Sequence, residues 1–234
     1  MSEFATITID DRKIKARVGE KLLWAALEND IYIPHLCAIK EESRPNASCR
    51  LCFVEIDGLS HPVTSCTRPI EEGMVVKTRS PRIDRLVKTA FELILSDHNL
   101  KCRECPANRN CALQKIARER GLKLRHKRFK PIVRDFELDD SPAEFAFDRS
   151  RCVLCGQCIR ADREVAKVGA IGFSNRGIKR VVTTFKDLPL ADSICTECTL
   201  CVDACPVGAL YYKQESEVGR PGTVKDRKKQ DSVD

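Results

Sequence analysis

The chain has 234 residues, with 41 Lys and Arg against 34 Asp and Glu, a net charge of +7. Fourteen residues are cysteine and only 6% are aromatic. That is thin for one large core and fits small modules held together by inorganic centres.

The start, MSEFATITIDDRK, carries no basic segment leading into an apolar run. No apolar stretch approaches the length of a membrane span. A signal peptide and a spanning helix are therefore not expected, and a cytoplasmic location is. In a reducing compartment, clustered cysteines read as metal ligands rather than disulfides. Basic runs at 118–130 and 225–229 read as solvated faces. Beyond Phe129 they carry little of the aromatic interleaving of a nucleic-acid surface.

Residues 4–10 alternate apolar and polar, Asp10 and Asp11 make a turn, and 14–18 alternate again, which predicts a hairpin. Residues 20–29 place Leu23, Ala26 and Leu27 on one helical face. A loop with Pro34 and Cys37 follows, then Cys49-Arg-Leu-Cys52. Strands are expected at 53–57, 62–66 and 74–78, with a turn at Gly58. Hairpin, helix, loop and further strands predict a β-grasp module over residues 1–79. Its cysteines read C-x11-C-x2-C-x13-C. Plant-type [2Fe–2S] ferredoxins use a similar set with a shorter first gap. Cys37, Cys49, Cys52 and Cys66 are thus read as [2Fe–2S] ligands, Cys37 beside Cys49 on one iron and Cys52 with Cys66 on the other. Zinc would accept the same thiolates; the β-grasp setting and the long loop favour iron.

Residues 80–140 form the next unit. Pro81 opens a helix with Ile83, Leu86, Val87, Ala90, Phe91 and Ile94 at helical spacing, ending near 97–99. Then comes H-x3-C-x2-C-x5-C. Three thiolates leave one corner of a [4Fe–4S] cube without a ligand. A lone His more often caps or faces solvent, but His98 is the nearest residue able to fill that corner. The set is read as His98, Cys102, Cys105 and Cys111. A neutral imidazole makes such a centre less negative and raises its potential. Residues 111–120 predict a short helix ended by Gly121, and 135–144 an acidic connector.

Within residues 141–212, Cys152, Cys155 and Cys158 form one C-x2-C-x2-C triplet, and Cys195, Cys198 and Cys201 another. The second runs on as C-x3-C-P, the pattern whose last cysteine serves the other cube in two-cluster ferredoxins. Cys205 is therefore assigned to Cys152, Cys155 and Cys158. The reciprocal position, after Cys158, is Asp162. Three readings stay open there: carboxylate ligation, a corner held by water or another group, or a [3Fe–4S] cluster. An exposed acid on the following helix is the bland alternative. Strands at 169–173 and 181–185, joined by a turn at Gly177, fill the insert. Residues 213–234 form a basic tail. The whole predicts an α+β chain: a β-grasp [2Fe–2S] ferredoxin domain, a small helical His/Cys cluster domain and a two-[4Fe–4S] bacterial-ferredoxin-like domain.

This order of motifs, with VGEKLLWAALEND, CRLCFVEIDG and CPVGAL, resembles the N-terminal part of the large iron–sulfur subunit of respiratory complex I. It is similar also to the diaphorase iron–sulfur subunit of NAD-reducing hydrogenases and to the front end of iron-only hydrogenases. Two departures stand out. Complex I subunits and hydrogenases of this type continue into a large catalytic or molybdopterin-like domain, whereas this sequence ends at Asp234. The second triplet is an iron-only hydrogenase feature, absent from the complex I pattern.

The resemblance implies an electron relay with one [2Fe–2S] and three [4Fe–4S] clusters. Its partners would be a flavoprotein NAD(P)H-binding subunit and a separate catalytic oxidoreductase subunit: a hydrogenase, a formate dehydrogenase or another reductase. A ferredoxin would join in a branched, electron-bifurcating arrangement. There is no G-x-G-x-x-G after a strand and no nucleophile–base pair, so no bond chemistry is expected of the chain alone. The alternatives are a stand-alone polyferredoxin-type carrier and a zinc-stabilised nucleic-acid-binding module.

Overall fold

Alternation governs the first module. In the computed structural model, which describes residues 3–132 and 134–213, β1 (Phe4–Ile9) and β2 (Arg12–Arg17) pair antiparallel with Ile7 opposite Ile14. Ala5, Ile7, Ile9, Ile14 and Ala16 are all buried, because alternate side chains of a strand share a face. Asp10 turns the hairpin with φ at 46° and accepts a hydrogen bond from Thr78 N at 2.8 Å. That bond ties the turn to the far end of the module.

Helix α1 (Leu22–Glu28) buries Leu22, Leu23, Ala25 and Ala26 in the same apolar cluster as the strands. Strands β3 (Phe53–Ile56), β4 (Val63–Thr64) and β5 (Val75–Lys77) complete a five-stranded sheet in the order β2-β1-β5-β3-β4. β5 runs parallel to β1, the β-grasp layout. The strand expected at 62–66 shrinks to two residues. Pro62 has no N–H to pair, and beyond Thr64 the chain turns, with Thr67 N bonded to Thr64 O at 3.1 Å. The turn carries Cys66 into the core.

Helix α2 (Pro81–Ser96) starts where Ser80 Oγ accepts from Ile83 N at 3.1 Å, with Pro81 in its first turn. Ile83, Val87, Phe91 and Leu95 fall four residues apart and are buried. The helix stops at Asp97, so His98 follows directly. Helix α3 (Ala112–Arg120) begins just after Cys111 and ends at Gly121, whose φ of 63° suits a glycine. The buried Arg120 donates to Thr78 O at 3.1 Å and fastens α3 to the β-grasp module.

In the last third, β6 (Phe145–Phe147) pairs antiparallel with β9 (Leu210–Tyr212), Phe147 opposite Leu210. The strand before the first triplet thereby meets the strand after the second. Neither was expected from sequence. Between them lie α4 (Gln157–Arg160), the hairpin of β7 (Ile171–Ser174) and β8 (Val181–Thr184), and α5 (Leu200–Asp203).

Segments 80–140 and 141–212 contribute to one buried cluster, in which Phe91, Leu95 and Leu113 join Phe145, Val202 and Leu210. Leu36 and Leu51 of the first module belong to it as well. Among the described residues no helix is long and apolar enough to cross a membrane. The basic tail lies outside the described residues from 214 onward.

Candidate metal centres

Within each predicted set, cysteines interact with others of the same set. In the β-grasp module, the Cys37 and Cys49 thiols hydrogen-bond each other, and so do those of Cys52 and Cys66. Cys49 donates to Cys37, which holds the Cys37 thiol well below its ordinary pKa and pushes that of Cys49 up. Cys49 N also lies 3.4 Å from Cys37 Sγ. Two couples facing each other are the arrangement that two irons, each taking two thiolates, require. Cys37, Cys52 and Cys66 are buried and Cys49 is half-buried.

His98, Cys102, Cys105 and Cys111 line one enclosed pocket between the end of α2 and the start of α3. His98 is 8% exposed. Its ring hydrogen-bonds the Arg151 backbone, while Nδ1 is buried without a partner. A buried nitrogen left unpaired costs free energy that a metal ion would recover. Burial draws the imidazole pKa down to about 4, so the ring is neutral, the form that ligates metal. Burial likewise raises the Cys111 thiol.

The two triplets bend alike. Leu154 and Glu197 take φ of 54° and 52°, and two residues on, Gly156 and Thr199 take 80° and 61°. Non-glycine residues hold such angles only where the surroundings impose them. In each turn a backbone N–H points at a thiol sulfur, as such turns do in anion-holding loops. Leu154 N reaches Cys152 Sγ and Glu197 N reaches Cys195 Sγ, each at 3.4 Å. Cys205 Sγ receives Leu210 N at 3.5 Å. It interacts electrostatically with Cys152, Cys155 and Cys158, so the structure brings this set together across the insert. Burial pushes Cys152 and Cys201 up to about 12 and also raises Cys155, Cys158, Cys195 and Cys205. A metal that binds such thiols must displace their protons.

Asp162 sits in a π turn, Ala161–Val165, immediately after α4. It is 8% exposed, unlike the exposed acid of a helix surface. Its Oδ2 accepts from Ile171 N at 3.1 Å, and it interacts electrostatically with Cys195 and Cys201. Cys198 is the exposed member of that triplet.

Sequence reasoning gave no role to Gly208. A Cβ added there would lie 2.5 Å from Cys105 Sγ. The backbone that follows Cys205 thus presses directly on a thiol of the His98 set. Among the described residues, no three His, Cys, Asp or Glu side chains converge tightly on a single point. The unpartnered His98 nitrogen, the N–H groups aimed at sulfur and the paired thiols fit iron–sulfur groups.

Three family models match the chain in sequence. They describe a 2Fe-2S iron-sulfur cluster binding domain over residues 3–81, an NADH-ubiquinone oxidoreductase-G iron-sulfur binding region over 88–126, and a ferredoxin-like domain of NADH-quinone oxidoreductase subunit 3 over 144–211. Among curated relatives, subunit HndD of an NADP-reducing hydrogenase from Solidesulfovibrio fructosivorans is 36% identical over 209 residues, covering 88% of this chain and 35% of the relative. Subunit alpha of an NADPH-Fe(3+) oxidoreductase from Geobacter sulfurreducens is 35% identical over 92% of this chain and 25% of the relative. The mitochondrial 78 kDa subunit of NADH-ubiquinone oxidoreductase from Neurospora crassa is 29% identical over 97% of this chain and 30% of its own. The chain thus spans about a third or less of these proteins. A chain in the crystal structure of an NAD+-reducing [NiFe]-hydrogenase in the H2-reduced state is 32% identical, with a TM-score of 0.80. That match covers 89% of this chain and 87% of the other.

Proposed function

This chain belongs to the family of iron–sulfur subunits shared by complex I-type NADH oxidoreductases and NAD(P)-reducing hydrogenases, and from that premise we propose that it relays single electrons within such a complex. Its partners are a flavoprotein that binds NAD(P)H and a separate catalytic subunit, a hydrogenase, formate dehydrogenase or other reductase. Its location is cytoplasmic. When bound, iron–sulfur clusters supply one-electron chemistry at potentials tuned by ligand type, hydrogen bonds to sulfur and burial.

We assign Cys37, Cys49, Cys52 and Cys66 to a [2Fe–2S] cluster. Three [4Fe–4S] clusters are assigned to His98 with Cys102, Cys105 and Cys111; to Cys152, Cys155, Cys158 and Cys205; and to Cys195, Cys198 and Cys201 with Asp162. The domains follow the same division, 1–79, 80–140 and 141–212.

One observation carries the relay reading. The Cys152 set adjoins all three others: Cys155 interacts with Cys37, Cys205 with Cys105, and Cys158 with Cys201. Four separate structural sites would have no reason to lie within electrostatic reach of a common member. A hub with three neighbours is also what a branched relay reaching a ferredoxin would need. Anaerobically purified native complex should carry at least about 14 irons per copy of this chain, its share coming from one two-iron and three four-iron centres. The same material, reduced stepwise, should give several resolved EPR signals. Zinc without acid-labile sulfide would sink the reading in favour of the nucleic-acid module. A lone 26.4 kDa species would favour the stand-alone carrier. A ferredoxin branch is excluded if supplied reduced ferredoxin reduces none of the centres.

Asp162→Cys tests whether Asp162 stands at the open corner of the last set. With Asp162 as a ligand, or with that corner open, the substitution should change one EPR signal and leave the others alone, at a stability cost of about 1–3 kcal/mol for the stranded Ile171 N–H. An unaltered spectrum in the iron-loaded variant would remove Asp162 from the ligand set.

A further inference from the structure

Gln157 stands between two of the sets and touches both. It lies between Cys155 and Cys158, and its backbone N–H donates to the Cys155 thiol. Its side-chain Nε2 donates to the backbone carbonyl of Leu36. Leu36 is fully buried, at 1% exposure, and its carbonyl belongs to the peptide that continues into Cys37. The path from Cys155 Sγ to Cys37 therefore runs through one N–H···S bond, the Gln157 residue itself, one N–H···O bond and a single peptide. Residues 121 apart in sequence are joined where Cys155 and Cys37 interact electrostatically.

Resting on the relay reading above, we infer that Gln157 is the positioning and coupling residue for electron exchange between the Cys37 set and the Cys152 set. Electron tunnelling weakens far less along covalent and hydrogen-bonded links than across an equal gap between packed atoms. The half-buried amide supplies such a link, and an aliphatic side chain of similar size would supply only contact. The exchange is a single electron in either direction. One centre is oxidised by one electron as the other is reduced, no bond forms or breaks, and no proton moves at Gln157. The His98 set and the Cys152 set are linked redundantly, by Asn99 N to Ser150 O and Ala112 N to Pro206 O, each 2.9 Å, and by side chains, Asn99 Nδ2 to Ser150 Oγ at 3.3 Å and Arg151 to Glu104 O at 3.4 Å. The crossing to Leu36 uses a side chain, so one substitution removes it.

The test uses the full iron-loaded chain, a light-triggered one-electron reductant, and two variants. Gln157→Leu keeps bulk and loses both amide groups. Gln157→Glu keeps shape and loses the donor at neutral pH. Redistribution of the injected electron between the two sets should slow several-fold in both. Iron content should be unchanged in both variants and the two midpoint potentials unchanged in Gln157→Leu, while the added carboxylate of Gln157→Glu should lower them. Relaxation enhancement between their EPR signals should fall in parallel. An unchanged rate in an iron-loaded variant overturns the inference. So does loss of iron from these sets in both variants, which would make Gln157 a scaffold residue only. A wild-type chain that holds its iron yet passes no electron between the two sets would instead refute the relay reading itself.

Discussion

Gly208→Ala is expected to empty the His98, Cys102, Cys105 and Cys111 site and leave the other three filled, lowering iron by about four per chain. The new Cβ would sit 2.5 Å from Cys105 Sγ, 3.2 Å from Ala107 Cβ and 3.3 Å from Ala107 N. None of these neighbours is the free end of a long side chain. The sulfur is on a short side chain that must keep its direction to act as a ligand, and the nitrogen is main chain. Nor can the strand behind Gly208 withdraw easily: Asp148 N bonds to Ala209 O at 2.7 Å, and Leu210 is paired in β9 with Phe147. The overlap must be relieved by moving Cys105, which takes one corner from the set. Gly58→Ala is the contrast. Gly58 has φ at 84° but nothing within 4 Å of the added carbon, so it should cost about 1 kcal/mol of backbone strain and no iron. Iron per chain and EPR difference spectra report both variants. A Gly208→Ala chain with full iron and an unaltered spectrum would show that the close approach is not structural.

What could be read in advance depended on how local each interaction is. The cysteine groups were legible because each triplet brings its thiols together within seven residues. The β1–β2 hairpin was legible because FATITI and RKIKAR alternate, one face being buried. Helix α2 announced itself through Pro81 and its helical apolar spacing. By contrast, β6 reads Phe-Ala-Phe with every residue buried. A three-residue strand covered on both faces has no alternation to find. Its partner β9 lies across the whole insert.

The joins between sets were hidden for the same reason. The stacking of Gly208 on Cys105 and the reach of Gln157 to Leu36 link segments far apart in the chain, and neither has a period. Asp162 was legible only as a gap in a ligand count. Its burial follows from the π turn and from the Ile171 N–H, which no local pattern encodes.

Removing iron should divide the chain into a part that keeps its fold and a part that does not. Residues 3–78 have a five-stranded sheet, a covering helix and an apolar cluster of their own. Cys52 and Cys66 contribute to that cluster beside many aliphatic side chains. Beyond residue 97, among the described residues, the regular structure is far smaller. Its two sheets have two strands each, its strands have three or four residues, and α4 and α5 have four residues apiece. Two-stranded pieces are marginal alone, and a four-residue helix has too few hydrogen bonds to persist unaided. The apolar cluster there includes Cys111, Cys152, Cys155, Cys195, Cys201 and Cys205 packed around its edge. Without metal, these thiols lose the groups that order them, and the left-handed residues at 154, 197 and 199 lose what makes their strain worthwhile. Hydrogen–deuterium exchange on anaerobic holo chain and on chelator-treated, iron-free chain should therefore retain slow amides in β1, β2, α1 and β3. Protection should collapse across residues 98–212. Equal protection of that region in both samples would mean that its core stands without the clusters, and that iron there serves electron transfer alone.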